Sequence, residues 1–471
     1  MSDQPRNSNS PPLGCSPEVE DTVAAVRSKP RILSWQRLTT PSALLIGTTA
    51  FGNVLRVANT MILTRLLMPS DFGLAGMILS IFFVVAMVTD VGFLPFVVRH
   101  ERGDEPRFLD AVWSFHASRG LINCVLVMVL SVPISNALGK PQLAPLLAVS
   151  ALTLAIDGCA SLTPLTALRR GLVRRLSAVD FGFYIAQVVV GIVAAVHFRS
   201  AWALVIALLA GSLFKTAASY AIFPDSRRRL FFDRGVGREL WIFSRPIAAS
   251  SLLTLLIAQV DKLVLARFFT LADFGIFVIA SNLAGAPTGI IGIYVPRILY
   301  PQIARAWRTD PGSIQSHYYA SRGIVFFGYL AGVGGMIGAG PLLIRMLYDP
   351  RYAGAGIFLC LLAVASAWTM ITRSMQDSLV AIDQTRTTLM MNVMRLIWLA
   401  VAGPISFISF GAIGLVGVLA FIEIPAYLYG IWVMRRLRLL SARHELLALS
   451  VILGAAAAGF ALQAVGDRFF K

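Results

Sequence analysis

The chain has 471 residues, of which 57% are hydrophobic and only 14% are charged. Charged residues make up about a quarter of a soluble domain, so this composition excludes an ordinary soluble protein and indicates a polytopic membrane protein. The net charge of +17 lies in short clusters between apolar segments, without the aromatic-lined basic groove that nucleic-acid binding needs. We therefore expect the lipid bilayer, and no nucleic acid, among the partners.

Residues 1–40 are rich in Ser, Pro, Asn and charge and lack the apolar core of a signal peptide, so we expect a disordered tail. Thirteen windows of about 20 apolar residues follow, each long enough to span a bilayer. The last is Ala-rich and is either a full thirteenth span or a shallow one. The windows are 43–64, 74–98, 111–137, 142–167, 178–197, 201–222, 241–266, 276–299, 322–344, 353–374, 388–409, 412–434 and 445–465.

Lys and Arg residues alternate along the connections between these windows. The N-terminal tail and the even-numbered connections hold about 27 of them, and the odd-numbered connections with the C-terminus hold about 8. Because basic residues are retained in the cytoplasm, this asymmetry predicts a cytoplasmic N-terminus.

A repeated turn motif organises the chain. The first apolar window closes and the second opens at Arg65, Asp71, Phe72 and Gly73. The same spacing recurs about 200 residues later at Arg267, Asp273, Phe274 and Gly275. The flanking segments 59–65 and 261–267 align without a gap. An Arg that reaches the headgroups, followed by a polar turn that ends in Gly, is typical of a tight hairpin between two membrane helices.

The repeat predicts two halves with the same internal order. We expect an N-terminal six-helix half over 41–223, a cytoplasmic linker over 224–240, a C-terminal six-helix half over 241–434 and an additional helix over 445–465. Since six spans separate the two copies, the halves enter the membrane with the same orientation and form parallel repeats. The predicted fold is therefore all-α, a two-lobed bundle with a central cavity between the lobes.

Polar residues inside the windows are costly in hydrocarbon, so each is expected to face the bundle interior or water. Asn53, Arg56 and Asn59 follow one another at helical spacing in the first window and form one polar face near mid-depth. Ser251, Thr254, Ala258 and Asp261, followed by Lys262, form the equivalent stripe in the seventh window. Further candidates are Asp90, His116, Arg119, Asn123, Asp157, Lys215, Asn392, Arg395 and Glu423.

Motifs of soluble catalysis are absent from the sequence. It contains no GxxxxGK[ST], GxSxG or HExxH, and its four cysteines show neither a CxxC pair nor metal-ligand spacing. We therefore predict a protein that is not an enzyme and uses no cofactor or metal.

Together these residues resemble one transporter family. The chain is similar to the polysaccharide transporters in the order of its motifs. These are Arg56, the two Arg-x5-Asp-Phe-Gly turns, Asp90-x-Gly92, Asp261-Lys262, Tyr348-x3-Tyr352-Ala353 and Gly411-Ala412-Ile413-Gly414. The polysaccharide transporters are the Wzx-type O-antigen and exopolysaccharide flippases of the multidrug/oligosaccharidyl-lipid/polysaccharide exporter superfamily. The resemblance covers about residues 40–435.

The resemblance implies a function and a location. Such proteins lie in the bacterial inner membrane and move undecaprenyl-diphosphate-linked oligosaccharides from the cytoplasmic to the periplasmic leaflet by alternating access. Exchange for protons or sodium ions is the implied driving force. The implied partners are the lipid-linked oligosaccharide, the coupling ion and the polysaccharide polymerase or export machinery.

The polar residues of the windows suit that substrate. Guanidinium groups bind phosphate in a fork geometry, and amides bind sugar hydroxyls. We expect Arg56 and Arg395, assisted by Lys262, to contact the anionic head. Asn53, Asn59 and Asn392 are expected to line the glycan path, and Asp261 or Glu423 to bind the coupling ion.

Three alternatives stay open at this point. A drug or cation antiporter of the same superfamily would have a cavity dominated by carboxylates, whereas here Arg and Lys occur at comparable depth. A membrane-embedded glycan polymerase or ligase usually carries a large periplasmic loop, and every predicted outer loop here is short. A scaffold for polysaccharide assembly would leave the intramembrane charges without a purpose.

Overall fold

The computed structural model describes residues 41–163, 173–223, 228–295 and 299–469, and every regular element within those ranges is helical. The all-α prediction is confirmed. The predicted tail 1–40 and part of the predicted linker, 224–227, lie outside the described residues.

Eight helices are described in the N-terminal part of the chain. Several begin where proline or a capping residue fixes the first turn, such as Pro69 and Pro106 at the first helical positions. The helices are α1 Pro41–Leu66, α2 Pro69–Val88, α3 Phe93–Arg99, α4 Pro106–Leu138, α5 Leu143–Ser150, α6 Leu152–Gly158, α7 Val173–Phe198 and α8 Trp202–Ala221.

Ten α-helices follow in the described C-terminal part. The first is capped by Asp233, whose carboxylate accepts hydrogen bonds from the amides of Gly235 and Val236 at 2.6 and 3.4 Å. The helices are α9 Arg234–Phe268, α10 Leu271–Gly285, α11 Thr288–Tyr294, α12 Tyr300–Thr309, α13 Ile314–Ser321, α14 Ile324–Leu347, α15 Ala355–Ala381, α16 Thr385–Ala420, α17 Ile424–Arg436 and α18 Ala442–Phe469.

Eight helical segments within the described ranges are long and apolar enough to cross a membrane, with 385–436 counted as one segment. Leu143–Gly158 and Leu271–Gly285 are apolar but shorter. Breaks inside predicted windows explain the shorter helices. The second window divides at Asp90 to Gly92, where Gly92 has φ +70 and caps α3, and the eighth divides before Thr288.

The helix α16 folds back on itself at Gly411, which has φ +64 and ψ −151. The Trp398 indole donates to the carbonyl of Val418 at 3.1 Å, and the side chain of Leu415 packs on Gly403. A straight helix would separate Trp398 from Val418 by about 30 Å. Residues 385–410 and 412–436 therefore form a tight antiparallel pair, as the two windows 388–409 and 412–434 predict.

The C-terminal helix α18 packs along α14 over its whole length. A Cβ at Gly338 would lie 2.0 Å from the carbonyl oxygen of Ala456, so only glycine allows this approach. Arg322 and Glu445 form a buried ion pair at one end, with 2.6 Å between Nη1 and Oε1. Arg345 and Asp467 pair at 2.7 Å at the other end. The additional C-terminal helix predicted from the sequence is thus confirmed.

The two copies of the turn motif start helices and then cross each other. Asp71 accepts from the Met68 amide at 2.9 Å, and the Thr270 hydroxyl accepts from the Asp273 amide at 3.1 Å, which caps α2 and α10. A Cβ at Gly275 would lie 1.8 Å from the carbonyl oxygen of Pro69, and one at Gly73 would lie 2.2 Å from that of Leu271. The backbones of α2 and α10 therefore touch at this glycine pair.

Replacing Gly275 by Val is expected to separate α2 from α10, because the neighbouring atom is backbone and cannot rotate away. Overpacking of this kind costs about 1–3 kcal/mol and here displaces a whole helix. We expect a lower midpoint of thermal unfolding in detergent for Gly275→Val. We also expect that a disulfide engineered between α2 and α10 at the crossing no longer forms when Gly275→Val is added. Gly285→Val is the control, since no atom lies within 4 Å of a Cβ there. Equal midpoints of thermal unfolding for Gly275→Val and Gly285→Val would contradict the close contact between α2 and α10 at Gly275.

Candidate functional site

The polar face predicted on α1 points towards the C-terminal part of the chain. The Asn53 amide donates to the carbonyl of Ala286 at 3.2 Å, where α10 gives way to α11. Arg56 and Asn59 follow on the same helical face. Val54, two positions before Arg56 and so on the opposite side of the helix, is 67% exposed, as expected for a side chain in lipid.

Two groups on this face are available to a ligand. The Arg56 side chain is exposed and its guanidinium has no hydrogen bond or ion pair among the described residues. Asn59 is half-buried, and its Oδ1 is a buried acceptor without a partner in the described part of the chain. Since buried polar groups are normally satisfied, the Asn59 oxygen indicates a place where a polar ligand completes the bonding, and Arg56 lies one turn before it on the same face.

The stripe predicted on α9 is only partly described. The side chains of Ala258 and Asp261 lie outside the described part of the chain, and Lys262 is half-buried. Ser251 donates to the Asp90 carboxylate at 2.7 Å, and the same carboxylate accepts from the Gly92 amide at 3.0 Å. Asp90 therefore joins the break between α2 and α3 to α9.

Arg395 and Glu423 form a buried ion pair between the two arms of the Gly411 hairpin. Arg395 is only 7% exposed, and its Nε and Nη2 lie 3.0 and 2.8 Å from Oε2 of Glu423. Asn392 and Gln376 accept from the same guanidinium, and Thr372 donates to Glu423 at 2.6 Å. The charges neutralise each other in this conformation, so Arg395 and Asn392 are not open to a ligand as Arg56 is.

The sequence points to Arg395 and Glu423 separately but not to their contact. The hairpin at Gly411 is the feature of the sequence from which this contact could be predicted. Arg395 lies 16 residues before Gly411 and Glu423 lies 12 residues after it, so folding at Gly411 brings them to similar depth.

Arg351 and Tyr352 contact the first turn motif from the other part of the chain. Arg351 Nη2 donates to the carbonyls of Thr64 and Arg65 at 3.1 and 3.2 Å, and the Tyr352 hydroxyl donates to that of Leu67 at 2.9 Å. The Thr64 and Arg65 carbonyls belong to the last turn of α1, where a helix leaves its carbonyls without a helical partner, and Leu67 follows directly. The sequence offers only the family-like Tyr348-x3-Tyr352 spacing for this contact.

Two further features belong to the same end of the molecule. Arg351 also donates to Asp349 at 2.8 Å, and this bond holds the pKa of Asp349 below its usual value. The second turn motif also lies against the other part of the chain, because the Arg267 guanidinium lies beside Gly139 of the loop after α4. Both turn motifs thus lie where the two parts of the chain meet.

At the opposite end, a charged contact joins the loop after α3 to the start of α9. Nε2 of His100 lies 3.0 Å from Oε2 of Glu239, and Arg102 donates to both carboxylate oxygens at 3.2 Å. His100 stacks on Phe108 with ring centroids 4.2 Å apart. These exposed ion pairs stabilise the contact by only about 0–1 kcal/mol each, so the buried apolar cluster that joins Phe108 to Leu240 contributes most of the stability at this end.

A family model described as "Polysaccharide biosynthesis protein" matches residues 62–355, which is more than half of the chain. The chain belongs to this family. The resemblance to polysaccharide transporters that the motifs indicate is confirmed, and the match includes both turn motifs and the Tyr348-x3-Tyr352 segment.

Two curated relatives are similar at low identity. The succinoglycan biosynthesis transport protein ExoT of Rhizobium meliloti (strain 1021) is 23% identical over 259 residues, which cover 55% of this chain and 52% of the relative. The lipopolysaccharide biosynthesis protein WzxC of Escherichia coli (strain K12) is 22% identical over 269 residues, which cover 56% and 54%. The chain thus spans about half the length of the curated relatives it matches.

Solved transporters share the fold. The lipid II flippase MurJ in an inward closed conformation superimposes with a TM-score of 0.70 at 14% identity, covering 90% of this chain and 92% of that one. An inward-facing multidrug-resistance MATE transporter of the same superfamily gives 0.62 at 13% identity, covering 84% and 98%. The predicted fold of a multi-pass membrane transporter is confirmed, whereas the division into two six-helix halves stays a prediction.

Proposed function

We propose that this protein is a flippase that carries undecaprenyl-diphosphate-linked oligosaccharide units from the cytoplasmic to the periplasmic leaflet of the bacterial inner membrane. Family membership, the names of both relatives and the fold shared with a lipid II flippase support this function. The observation that carries it is Arg56, which has no partner among the described residues and lies on the polar face of α1, because an anionic head crossing hydrocarbon needs a cation at mid-depth.

The residues of the polar face have separate roles in this proposal. Arg56, assisted by Lys262, binds the diphosphate, since a guanidinium donates two parallel bonds to phosphate oxygens. Asn53 and Asn59 line the glycan path, and the unpartnered Oδ1 of Asn59 accepts from a sugar hydroxyl. No catalytic group is required, because no bond in the substrate is broken.

The Arg395–Glu423 pair offers a link between ion binding and substrate. While the pair is closed, Arg395 is held by Glu423, and Asn392 is held by Arg395. A proton on Glu423 removes the charge that holds the guanidinium and releases Arg395 and Asn392 towards the substrate path. Asp261 is the other carboxylate that we propose for the coupling ion, H+ or Na+.

In the proposed transport cycle, the contacts between the N-terminal and C-terminal parts of the chain open first at one end of the molecule and then at the other. With the N-terminus in the cytoplasm, the turn motifs and Arg351 lie on the periplasmic side, and the His100–Glu239 contact lies on the cytoplasmic side. Opening at the His100–Glu239 end admits the lipid-linked unit, and opening at the motif end releases it to the polymerase or export machinery. This orientation follows from the distribution of Lys and Arg in the sequence.

Removing the Arg351 contact is expected to open the periplasmic end. The two bonds from Arg351 to the α1 carbonyls contribute about 1.5–3 kcal/mol each as bonds from a charged donor, so even partial loss shifts the equilibrium about tenfold or more. We expect faster labelling of a cysteine at position 59 by an impermeant maleimide in Arg351→Ala. Arg345→Ala, which breaks the exposed pair with Asp467, is the matched control. An unchanged labelling rate in Arg351→Ala would contradict the proposal that the Arg351 contact holds the periplasmic end closed.

The proposed function is tested by deleting the gene and fractionating the membrane lipids. We expect undecaprenyl-diphosphate-oligosaccharide to accumulate while surface polysaccharide disappears, and the wild-type chain to reverse both effects. Increased sensitivity to drugs without accumulation of the lipid-linked unit would instead establish a drug antiporter. Accumulation of fully translocated but unpolymerised units would establish a role in polymerisation.

A further inference from the structure

The short helix α12 lies in the connection between the predicted windows 276–299 and 322–344 and is strongly amphipathic. It packs against α15. On its apolar side, Ile303 is fully buried and Ala306 is 3% exposed, and both belong to the same buried cluster as Met370 of α15. Because this side faces the protein, the remaining sides of α12 are the ones that it presents to its surroundings.

The helix α13, which follows, is fixed to the C-terminal end of the chain by hydrogen bonds. Gln315 donates to the carbonyl of Leu440 at 3.0 Å, and the Tyr319 hydroxyl donates to Glu445 at 3.2 Å. The amide of Ser441 donates in turn to the Tyr319 hydroxyl at 3.0 Å. The segment of α12 and α13 therefore lies beside the end of α17 and the start of α18.

The outward side of α12 carries two arginines. Arg305 and Arg308 are exposed, and their spacing at i and i+3 places them on the same side of the helix. Neither guanidinium makes a hydrogen bond or ion pair among the described residues. Asp310, the nearest carboxylate in sequence, instead accepts from the amide of Gly312 at 3.1 Å. The two guanidinium groups are thus available to an external anion.

Half-exposed aromatic side chains accompany these arginines. Tyr300 and Trp307 lie seven residues apart on one side of α12 and are 39% and 43% exposed. On α17, the guanidinium of Arg436 lies 5.7 Å from the ring centroid of Trp432, which is 55% exposed. Trp and Tyr are enriched where lipid headgroups meet hydrocarbon. Their occurrence beside arginines therefore indicates that this end of the molecule lies at headgroup depth.

The charge at this end is strongly positive. Residues 300–322 and 435–445 contain seven arginines and two carboxylates. One of the carboxylates, Glu445, is already paired with the buried Arg322 at 2.6 Å, which leaves Asp310 opposite the other arginines. Those other six are all exposed, and they are Arg305, Arg308, Arg435, Arg436, Arg438 and Arg443. An excess of this size attracts an anionic membrane surface.

We propose that Arg305 and Arg308 bind the phosphate of an anionic phospholipid, with Trp307 and Tyr300 against its acyl chain. A guanidinium donates two parallel bonds to phosphate oxygens, and two arginines one turn apart can reach the same phosphate. A lipid held in this way fixes the depth of the C-terminal part in the bilayer. The inference goes beyond the proposed function, since it holds whatever the protein transports.

A lipid suits this surface better than a soluble acidic protein. The apolar length of α17 ends at Arg435 and Arg436, and α12 begins where the predicted window 276–299 ends. Both flanks of the surface therefore emerge from hydrocarbon, and a soluble partner would have to displace headgroups to reach it. In the orientation proposed above, the bound lipid belongs to the cytoplasmic leaflet.

Quenching of Trp307 fluorescence by lipids with brominated acyl chains tests the proposal in purified full-length protein in nanodiscs. The Trp307 signal is the difference between the protein with and without Trp307→Phe. We expect brominated phosphatidylglycerol to quench this signal at a mole fraction about tenfold or more below that needed for brominated phosphatidylcholine. The reason is that each arginine near an anionic surface gives about a fivefold preference.

Matched variants identify the groups responsible for the preference. Arg305→Gln combined with Arg308→Gln should bring the two lipids to nearly equal quenching. Arg305→Lys combined with Arg308→Lys keeps the charge and loses the fork geometry, so part of the preference should remain. Arg345→Gln, which removes an exposed arginine at the other end of α14, should behave like the wild type. The midpoint of thermal unfolding checks that each variant is folded.

Three outcomes would overturn the proposal. Equal quenching by both lipids in the wild type would exclude a headgroup site for anionic lipid. A preference that persists in the double Gln variant would show that arginines outside α12 attract the lipid. If neither lipid quenches Trp307, the outward side of α12 points away from the bilayer and is open to an acidic soluble partner. None of these outcomes bears on the flippase function, because no transport is measured.

Discussion

Arg56→Ala is expected to abolish export of the lipid-linked unit while the protein still inserts and folds. The guanidinium has no partner in the described structure, so its removal breaks no internal contact and leaves the helix α1 intact. A charged hydrogen bond contributes about 1.5–3 kcal/mol, so losing a two-bond contact to phosphate lowers the export rate by a factor of about 100 or more. The measurement is the accumulation of lipid-linked units in cells that produce the variant at wild-type abundance.

Two further variants sharpen this experiment. Arg56→Lys keeps the charge but loses the fork geometry, and we expect partial export. Arg345→Ala removes an arginine that is also exposed but lies at the end of α14, and export should be unaffected. If Arg56→Ala exports as well as wild type, the diphosphate is not bound on this face of α1.

Glu423→Ala is expected to lower the free energy of unfolding by about 3–5 kcal/mol, because it leaves the Arg395 guanidinium buried without its counter-charge. Thr372 and Arg395 both lose their partner in this variant. Chemical unfolding in detergent, followed by the loss of helical signal, measures the effect. The size of this effect sets Glu423 apart from Arg56, whose replacement should leave stability unchanged.

The double variant Arg395→Met with Glu423→Leu is the control for this interpretation. It removes both charges together and replaces them with apolar groups of similar volume, so most of the lost stability should return. Export by the double variant then reports whether the pair has a role beyond packing. A double variant as unstable as Glu423→Ala would show that the destabilisation comes from lost volume and not from an unpaired charge.

The sequence predicts the helices well because long apolar windows in a membrane protein leave few alternatives to a helix. It predicts less about their interruptions. The break at Asp90 to Gly92 depends on a left-handed glycine and on the contact between Asp90 and Ser251, which comes from α9. Contacts of this kind join residues about 160 positions apart and leave no local pattern.

The candidate site shows the same limit. The spacing of Asn53, Arg56 and Asn59 gives their common face directly, since these residues share one helix. The pairing of Arg395 with Glu423 depends on the direction of the Gly411 hairpin, which brings residues 28 positions apart into contact. Counting the charged residues in a single apolar window therefore identifies side chains that are costly to bury in the membrane. It does not show which of them are neutralised by a partner from another window.

The glycine crossing also has a mechanical consequence. Gly73 and Gly275 meet near the first turns of α2 and α10, where backbone lies against backbone, so a tilt of α2 about this contact would move its far end most. The helix α2 has 20 residues and is about 30 Å long, so a swing of about 20° moves its far end by about 10 Å. A displacement of that size is comparable to the diameter of a helix. A small tilt at the glycine crossing is thereby amplified at the opposite end of α2.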